Sequence, residues 1–297
     1  MASNRKKILI TGAAGLIGRE FCKQLTPYHD VTAVDNNQRF RGYRPEGCAY
    51  IKSNLDEYLS QASNNFDIIY HLAATNGTTS FYSHPNDVLR NNVTLDLSMF
   101  KFAESNPTCK LVYASSSEVV AGTTLFPTPE IRDINITNIH NPRWSYMLPK
   151  VLAENYLFNS QLDFLIIRFF NVFSEHTGAG HFVKDIIDKI QSKNFELIGA
   201  DETRSFCYVS DAVDAVIKIS NVSRHVVNVG SDEELKIIDA ANIIAAALGH
   251  ESVVWNTKPG LVGSAKNRRP DVTELKRLLP AFSPKSFKEA ISLVLPS

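Results

Sequence analysis

Through its first half the chain alternates short apolar runs with stretches whose apolar positions recur every three or four residues. Residues 7–11, 31–35, 50–51, 67–73 and 110–115 are apolar with little polar alternation and read as buried strands. Between them Leu16–Leu25 and residues 87–105 carry the helical period. Strands that are apolar on both faces and alternate with helices predict a parallel sheet covered on both sides. A long helix over 145–160 and a strand over 164–170 continue the series. Beyond Asn171 the alternation loosens. Helices are expected at 182–192 and 237–248, short strands at 206–209 and 226–229, and a loop at 178–180. The predicted fold class is therefore α/β. A doubly wound parallel sheet of Rossmann type spans residues 1–170, and a smaller C-terminal α/β lobe spans 171–297. With no repeat and no Pro/Gly-rich linker, the two parts are expected to interlock, and some lobe strands could return to the main sheet.

Composition narrows the class of protein. At 297 residues and 44% hydrophobic, the chain can bury a large core. Lys plus Arg and Asp plus Glu both number 31, so the balance shows neither a nucleic-acid footprint nor a membrane-seeking surface. Cys22, Cys48, Cys109 and Cys207 have no metal-ligand spacing and read as reduced thiols. The polar lead before Ile8 has no signal-peptide core, so a cytoplasmic location is expected. The eight histidines form no metal motif, and His71, on a buried strand, reads as a hydrogen-bonded core residue. Asp211 and Asp214 read as helix-capping and surface charges.

Chemistry concentrates first at Gly12, Gly15 and Gly18, between the first strand and the first helix. Gly12 permits a sharp turn, Gly15 lets the backbone approach a pyrophosphate, and Gly18 lets helix and strand pack closely. The helix start at Leu16 and Ile17 offers unpaired N–H groups to phosphates. Asp35 closes the second strand about 20 residues on, where a carboxylate binds the adenosine ribose hydroxyls. It favours NAD over NADP because it would repel a 2′-phosphate. Arg39, Arg41 and Arg44 follow it and read as a solvated loop.

A second concentration lies at Tyr146 and Lys150, four residues apart on one helix face. The ammonium is expected to lower the phenol pKa, so that Tyr146 can take the proton of a hydroxyl while NAD takes the hydride. Pro149 inside this helix suggests a bend or an early first turn. Ser115, Ser116 and Ser117 end a parallel strand, where open α/β sheets bind ligands.

These residues together resemble the extended short-chain dehydrogenase/reductases, in particular the NAD-dependent nucleotide-sugar epimerase/dehydratase family, over nearly the whole chain. The resemblance implies that Ser116 is the catalytic hydroxyl beside Tyr146 and Lys150, with Ser117 next to the substrate. Leu72, Ala73 and Ala74 match the fourth-strand motif flanking the cofactor. Asn54 and Leu55 fall beside adenine, and Asn92 begins the central helix. Asn171, Arg204 and Arg269 fall where the family binds the nucleotide diphosphate. The loops at 119–122 and 174–177 depart from the family pattern, and in the family they border the substrate. The family also pairs the 87–105 and 145–160 helices between two subunits, which implies a homodimer.

Family reactions begin with oxidation at sugar C4. Glu118, two residues past Ser116, resembles the C5 base of the 4,6-dehydratases, so the expected function is a nucleotide-sugar 4,6-dehydratase. A 4-epimerase needs only Ser, Tyr and Lys. A decarboxylase needs a cation for a C6 carboxylate, and a reductase releases its cofactor each turnover. A dinucleotide sensor without catalysis would be expected to lack Tyr146 or Lys150.

Overall fold

The computed structural model describes residues 5–39, 42–131, 133–136, 138–178, 180–260 and 265–295, so Arg41 lies outside the described residues. The first half runs β1 (Lys7–Thr11), α1 (Leu16–Leu25), β2 (Asp30–Asp35), β3 (Ala49–Lys52), α2 (Leu55–Gln61), β4 (Ile68–His71), α3 (Thr78–Ser83), α4 (Pro85–Glu104), β5 (Lys110–Ser116), α5 (Trp144–Asn159) and β6 (Asp163–Phe169). The second half runs β7 (Val172–Phe173), α6 (Phe182–Gln191), β8 (Glu196–Ile198), β9 (Thr203–Arg204), β10 (Cys207–Tyr208), α7 (Val209–Lys218) and β11 (His225–Val229). It ends with β12 (Leu235–Lys236), α8 (Ile237–Ala247), β13 (Asn256–Lys258), β14 (Asn267–Arg268), α9 (Thr273–Leu278) and α10 (Phe287–Val294).

Seven parallel strands form the main sheet in the order β11-β6-β5-β4-β1-β2-β3. The order reverses beside β1, which opens a crevice at the carboxyl ends of β1 and β4. Because side chains alternate along a strand, each strand feeds two cores. Ile8, Ile10, Tyr70, Val112 and Ile167 pack with Phe21 of α1 and Val213 of α7 on one face. Leu9, Ile69, Leu111 and Ile166 pack with Phe100 of α4 and Leu157 of α5 on the other. A third cluster joins Phe173, Ile186, Phe206, Ile244 and Phe287 beneath the small sheets of the C-terminal part.

The C-terminal part is tied into the main sheet: β11 pairs with β6, Val226 opposite Ile166 and Asn228 opposite Arg168. The expected strand at 206–209 is shorter than its apolar run, because β10 stops at Tyr208 and Val209 opens α7. Pro149 sits in the second turn of α5 rather than its first, past the position where a missing N–H is free of cost.

Candidate active site

The turn between β1 and α1 leaves no room for a side chain at Gly12 or Gly18. Gly12 has φ +70°, and a Cβ there would lie 2.8 Å from the Ala73 nitrogen. A Cβ on Gly18 would lie 2.2 Å from the Gly12 carbonyl oxygen, so the helix can start this close to the turn only with glycine. Gly15 caps α1 without any side-chain bond, which leaves the first-turn amides to a ligand. Gly12, Gly15, Leu16, Ile17 and Gly18 line a cavity of about 710 Å³, together with Asp35, Leu55, Leu72, Ala73 and Ala74. Asp35 accepts from Ala14 N at 3.0 Å and from Asn37 N at 2.7 Å, so its carboxylate also fixes the turn and its own loop. A glycine cradle, an uncapped helix start and a strand-end carboxylate fit a dinucleotide.

Two residues expected at the cofactor act one step back. Asn54 is the N-cap residue of α2 and accepts from Asn36 Nδ2 at 3.2 Å, while Ser53 and Leu55 on either side line the cavity. Asn92 is fully buried and exchanges hydrogen bonds with the backbone of Thr75 at 2.8 and 3.0 Å, which holds the loop after β4. Of the arginines read as solvated, Arg44 is exposed. Arg39, though exposed overall, runs along the cavity, with Nη2 3.7 and 3.8 Å from where Cβ atoms on Gly178 and Gly77 would sit.

Further along the same cavity lie Ser116, Ser117, Glu118 and Tyr146. The Tyr146 ring is buried and stacks on Phe81 at 5.0 Å and 17°. Burial pushes its phenol pKa up, and Glu118 and Asp96 push it further, while a hydrogen bond with Ser116 and the charge of Arg39 pull it down. Lys150, expected to act on Tyr146, directs its ammonium toward Tyr113 and Asp96. Lys150 Nζ donates to Tyr113 Oη at 2.9 Å and lies 3.9 Å from Asp96 Oδ1. Burial lowers its pKa, and Asp96 and Glu154 partly restore it. His71 is the buried core residue its strand implied, between Thr11 at 2.7 Å and Asp96 at 3.1 Å.

Glu118 is gripped by two arginines. Arg143, at the N-cap of α5, donates from Nε at 2.7 Å and from Nη2 at 2.6 Å. Arg268 on β14 donates through Nη1 to the same carboxylate. Burial alone would raise the Glu118 pKa, but the charges and hydrogen bonds of Arg268 and Arg143 outweigh it and bring it down to about 2. All three side chains are about nine-tenths buried or more. Arg268 Nη2, also buried, has no hydrogen-bond partner among the described residues.

Of the residues expected at the diphosphate, Asn171 and Arg204 line the cavity and Arg269 does not. Asn171 holds φ +41° and donates to Ser205 O at 2.8 Å. Arg204 bonds Glu202 at 2.8 Å, and burial followed by the charge of Arg268 lowers its pKa to about 10. Arg269 instead lies over the Phe126 ring, 5.2 Å from its centroid, and reaches the Asp232 carbonyl and Glu234. Its neighbour Arg268 takes the place in the cavity. β14 pairs with β9 so that Arg268 stands opposite Arg204, and adjacent residues of an extended chain point to opposite sides. The adjacent pair in the sequence held this information but not which member faced inward. Arg143 carried no motif.

Glycine turn, hydroxyl run, phenol and buried ammonium on a doubly wound sheet define a dinucleotide-dependent α/β enzyme. The chain belongs to the NAD dependent epimerase/dehydratase family, which residues 8–230 match. NAD is its cofactor. It is 30% identical over 297 residues to the UDP-N-acetyl-alpha-D-glucosaminuronate decarboxylase of Bacillus cytotoxicus, covering 92% of each chain. It is also 30% identical to UDP-glucuronic acid decarboxylase 1 of Danio rerio, over 93% of this chain and 68% of that one. Among solved structures, a UDP-N-acetylglucosamine 4-epimerase from Methanobrevibacter ruminantium superposes with TM-score 0.85 at 23% identity, covering 98% of this chain and 97% of that one. An NAD-dependent NDP-hexosamine 5,6-dehydratase of tunicamycin biosynthesis gives TM-score 0.85 at 24% identity with the same coverage. At those identities the two structures speak to the fold. No helix among the described residues is long and apolar enough to cross a membrane.

Proposed function

We propose that the protein is a nucleotide-uronate decarboxylase. It would oxidise C4 of a nucleotide-diphosphate sugar bearing a C6 carboxylate, release CO2 and reduce the ketone again. The observation that carries this reading is the Glu118–Arg143–Arg268 cluster with its unpartnered Arg268 Nη2. A buried guanidinium N–H without a partner is costly, and an anionic ligand group is the natural acceptor. The two relatives at 30% identity are decarboxylases of UDP-uronates.

The same cluster makes the expected 4,6-dehydratase the weaker reading. A carboxylate with a pKa near 2 and three arginine bonds is a poor carrier of the C5 proton. Glu118 serves better as a fixed charge that leaves the arginine pair with a moderate grip.

NAD, when bound, supplies the two-electron oxidation at C4 and its reversal. Tyr146, assisted by Ser116, takes the proton of the C4 hydroxyl. The C4 ketone stands β to the C6 carboxylate, so the C5–C6 bond can break with its electron pair passing into the enolate and CO2 leaving. Arg268 holds the carboxylate until then, and the neighbouring negative charge of Glu118 favours its conversion to neutral CO2. A proton then returns to C5, and Tyr146 returns one to the C4 oxygen. Asn171 and Arg204 bind the diphosphate in this reading.

Incubation with NAD and either UDP-glucuronate or UDP-N-acetylglucosaminuronate, followed by product mass, tests it. Loss of CO2 is expected. Loss of water from a neutral nucleotide hexose, with the uronates untouched, would establish a dehydratase instead. Unchanged mass with altered sugar couplings would establish an epimerase.

A further inference from the structure

One buried carboxylate takes no part in the reaction above, yet the interior polar network converges on it. Asp96 sits on α4, 1% exposed. Tyr113 Oη on β5 donates to its Oδ2 at 2.7 Å, and His71 Nε2 on β4 lies 3.1 Å from its Oδ1. Each donor has a donor behind it. Lys150 Nζ on α5 donates to Tyr113 Oη at 2.9 Å. Thr11 Oγ1 on β1 meets His71 Nδ1 at 2.7 Å, and the Ala73 amide donates to Thr11 Oγ1 at 3.3 Å. The Asp96 carboxylate can only accept, so His71 Nε2 donates to it, and the neutral imidazole leaves Nδ1 to accept from the Thr11 hydroxyl. Two chains of donors thus end on one carboxylate. One starts beneath the glycine turn and the other at the ammonium of the Tyr146 helix.

Among the described residues, the charges around Asp96 leave it one cation. Burial holds His71 toward its neutral form. Lys150 Nζ is 3.9 Å from Asp96 Oδ1 and only 2% exposed. The other carboxylate that Lys150 senses, Glu154, is committed to Arg168 at 2.6 and 3.0 Å and to Ser115 at 2.5 Å. Among the described residues, Tyr113 and Tyr146 complete the titratable groups facing this pair, and burial pushes both phenols up.

We propose that Asp96 is a positioning residue, the dedicated counterion that holds the Lys150 ammonium charged and in place behind the catalytic pocket. A lone ammonium in this dry site would surrender its proton, and a lone carboxylate would be equally exposed to the desolvation penalty. The proposal rests on the reading that Lys150 serves Tyr146, but its charge can be measured without any substrate.

Carbon-13 labelling of the lysine Cε followed by NMR titration reports the Lys150 midpoint directly, with Lys150→Arg identifying its signal. Asp96→Asn is expected to lower that midpoint by about one pH unit or more. With a turned-over sugar in hand, the alkaline limb of the kcat profile should move down by the same amount. NAD affinity should stay within about threefold, well under one decade of Kd. Tyr113→Phe removes the bridging hydroxyl but keeps the charge, so the Lys150 midpoint should stay within a few tenths of a unit, a small fraction of the Asp96→Asn shift. If Asp96→Asn fails to fold, the neutral pair Asp96→Asn with Lys150→Met should fold, since it leaves no orphaned charge. An unmoved Lys150 midpoint in Asp96→Asn or, where that variant does not fold, a double variant that fails to fold as well, would overturn the proposal. Failure to turn over any uronate would overturn the proposed reaction and leave the midpoint measurement standing.

Discussion

A carboxylate caught between two guanidinium groups feels acid later than one in water. In the folded protein Glu118 titrates near 2, because Arg268 and Arg143 outweigh the effect of burial. In the unfolded chain it titrates near an ordinary value of about 4.3. Its folded pKa is depressed, so the stability it contributes is complete above about pH 5 and disappears as pH falls through about 2. That contribution is about 3 kcal/mol by linkage. Glu118→Gln should therefore narrow its stability gap from wild type as pH falls through that window, measured by urea unfolding at successive pH values. A gap that stays constant from about pH 6 to about pH 2 would mean that the arginines do not hold the carboxylate ionised. The same cluster explains why chemistry read from motifs alone favoured a dehydratase. Glu118 was visible at its offset from Ser116, but its two partners lie 25 and 150 residues away along the chain. A residue type and a spacing identify a carboxylate. Only the fold reveals whether it is free to carry a proton.

At the scale of elements, the turn from β1 into α1 is the feature whose sequence and geometry agree most closely. Replacing Gly18 by Ala puts a methyl 2.2 Å from the Gly12 carbonyl, a backbone atom that cannot step aside as a flexible side chain would. The helix start must move, and with it the amides of Leu16 and Ile17. NAD affinity should fall at least tenfold, about 1.4 kcal/mol, by calorimetry or fluorescence, while far-ultraviolet dichroism keeps the α/β signature. Unchanged affinity would show that the amides at the start of α1 do not carry the pyrophosphate. This turn was legible because strand, glycines and helix are consecutive. The buried strands of the main sheet were legible for a related reason: β1, β4 and β5 are apolar on both faces and the helices between them keep one period. The lobe was harder to read. β9, β12 and β14 are two residues long and hold Thr, Arg, Leu, Lys and Asn, so no period can form. α7 begins on an apolar residue, Val209, that continues the run of β10 and reads as strand until the register of neighbouring elements decides it. Lys150 shows the same limit: its spacing from Tyr146 is local, but its first partner, Tyr113, is on another element.

For the whole molecule, the outer face of the α4–α5 pair is the surface that calls for a cover. Both helices bury one side against β5 and its neighbours. On the other side, Leu89 and Leu97 of α4 are 36% and 40% exposed, and Leu152 of α5 is 41% exposed. Val93 and Leu148 are half-buried between them, so residues 89, 93 and 97 and residues 148 and 152 form two stripes at the four-residue helical spacing. Exposed leucines scattered singly need no explanation, but aligned stripes on two packed helices form a ridge able to meet its own copy across a two-fold axis. Such a contact would make a four-helix bundle, which is also what resemblance to the family implied. A dimer is therefore expected in solution, with a mass by light scattering twice that of the 33.1 kDa chain. A double substitution, Leu97→Glu with Leu152→Glu, should convert it to monomer without unfolding it, because both side chains already face water in the single chain. These helices also carry Asp96, Tyr146 and Lys150, so separating the subunits should lower turnover as well as mass. If the wild-type chain runs as a monomer at micromolar concentration, the stripes have another use and the catalytic helices stand without support from a second copy.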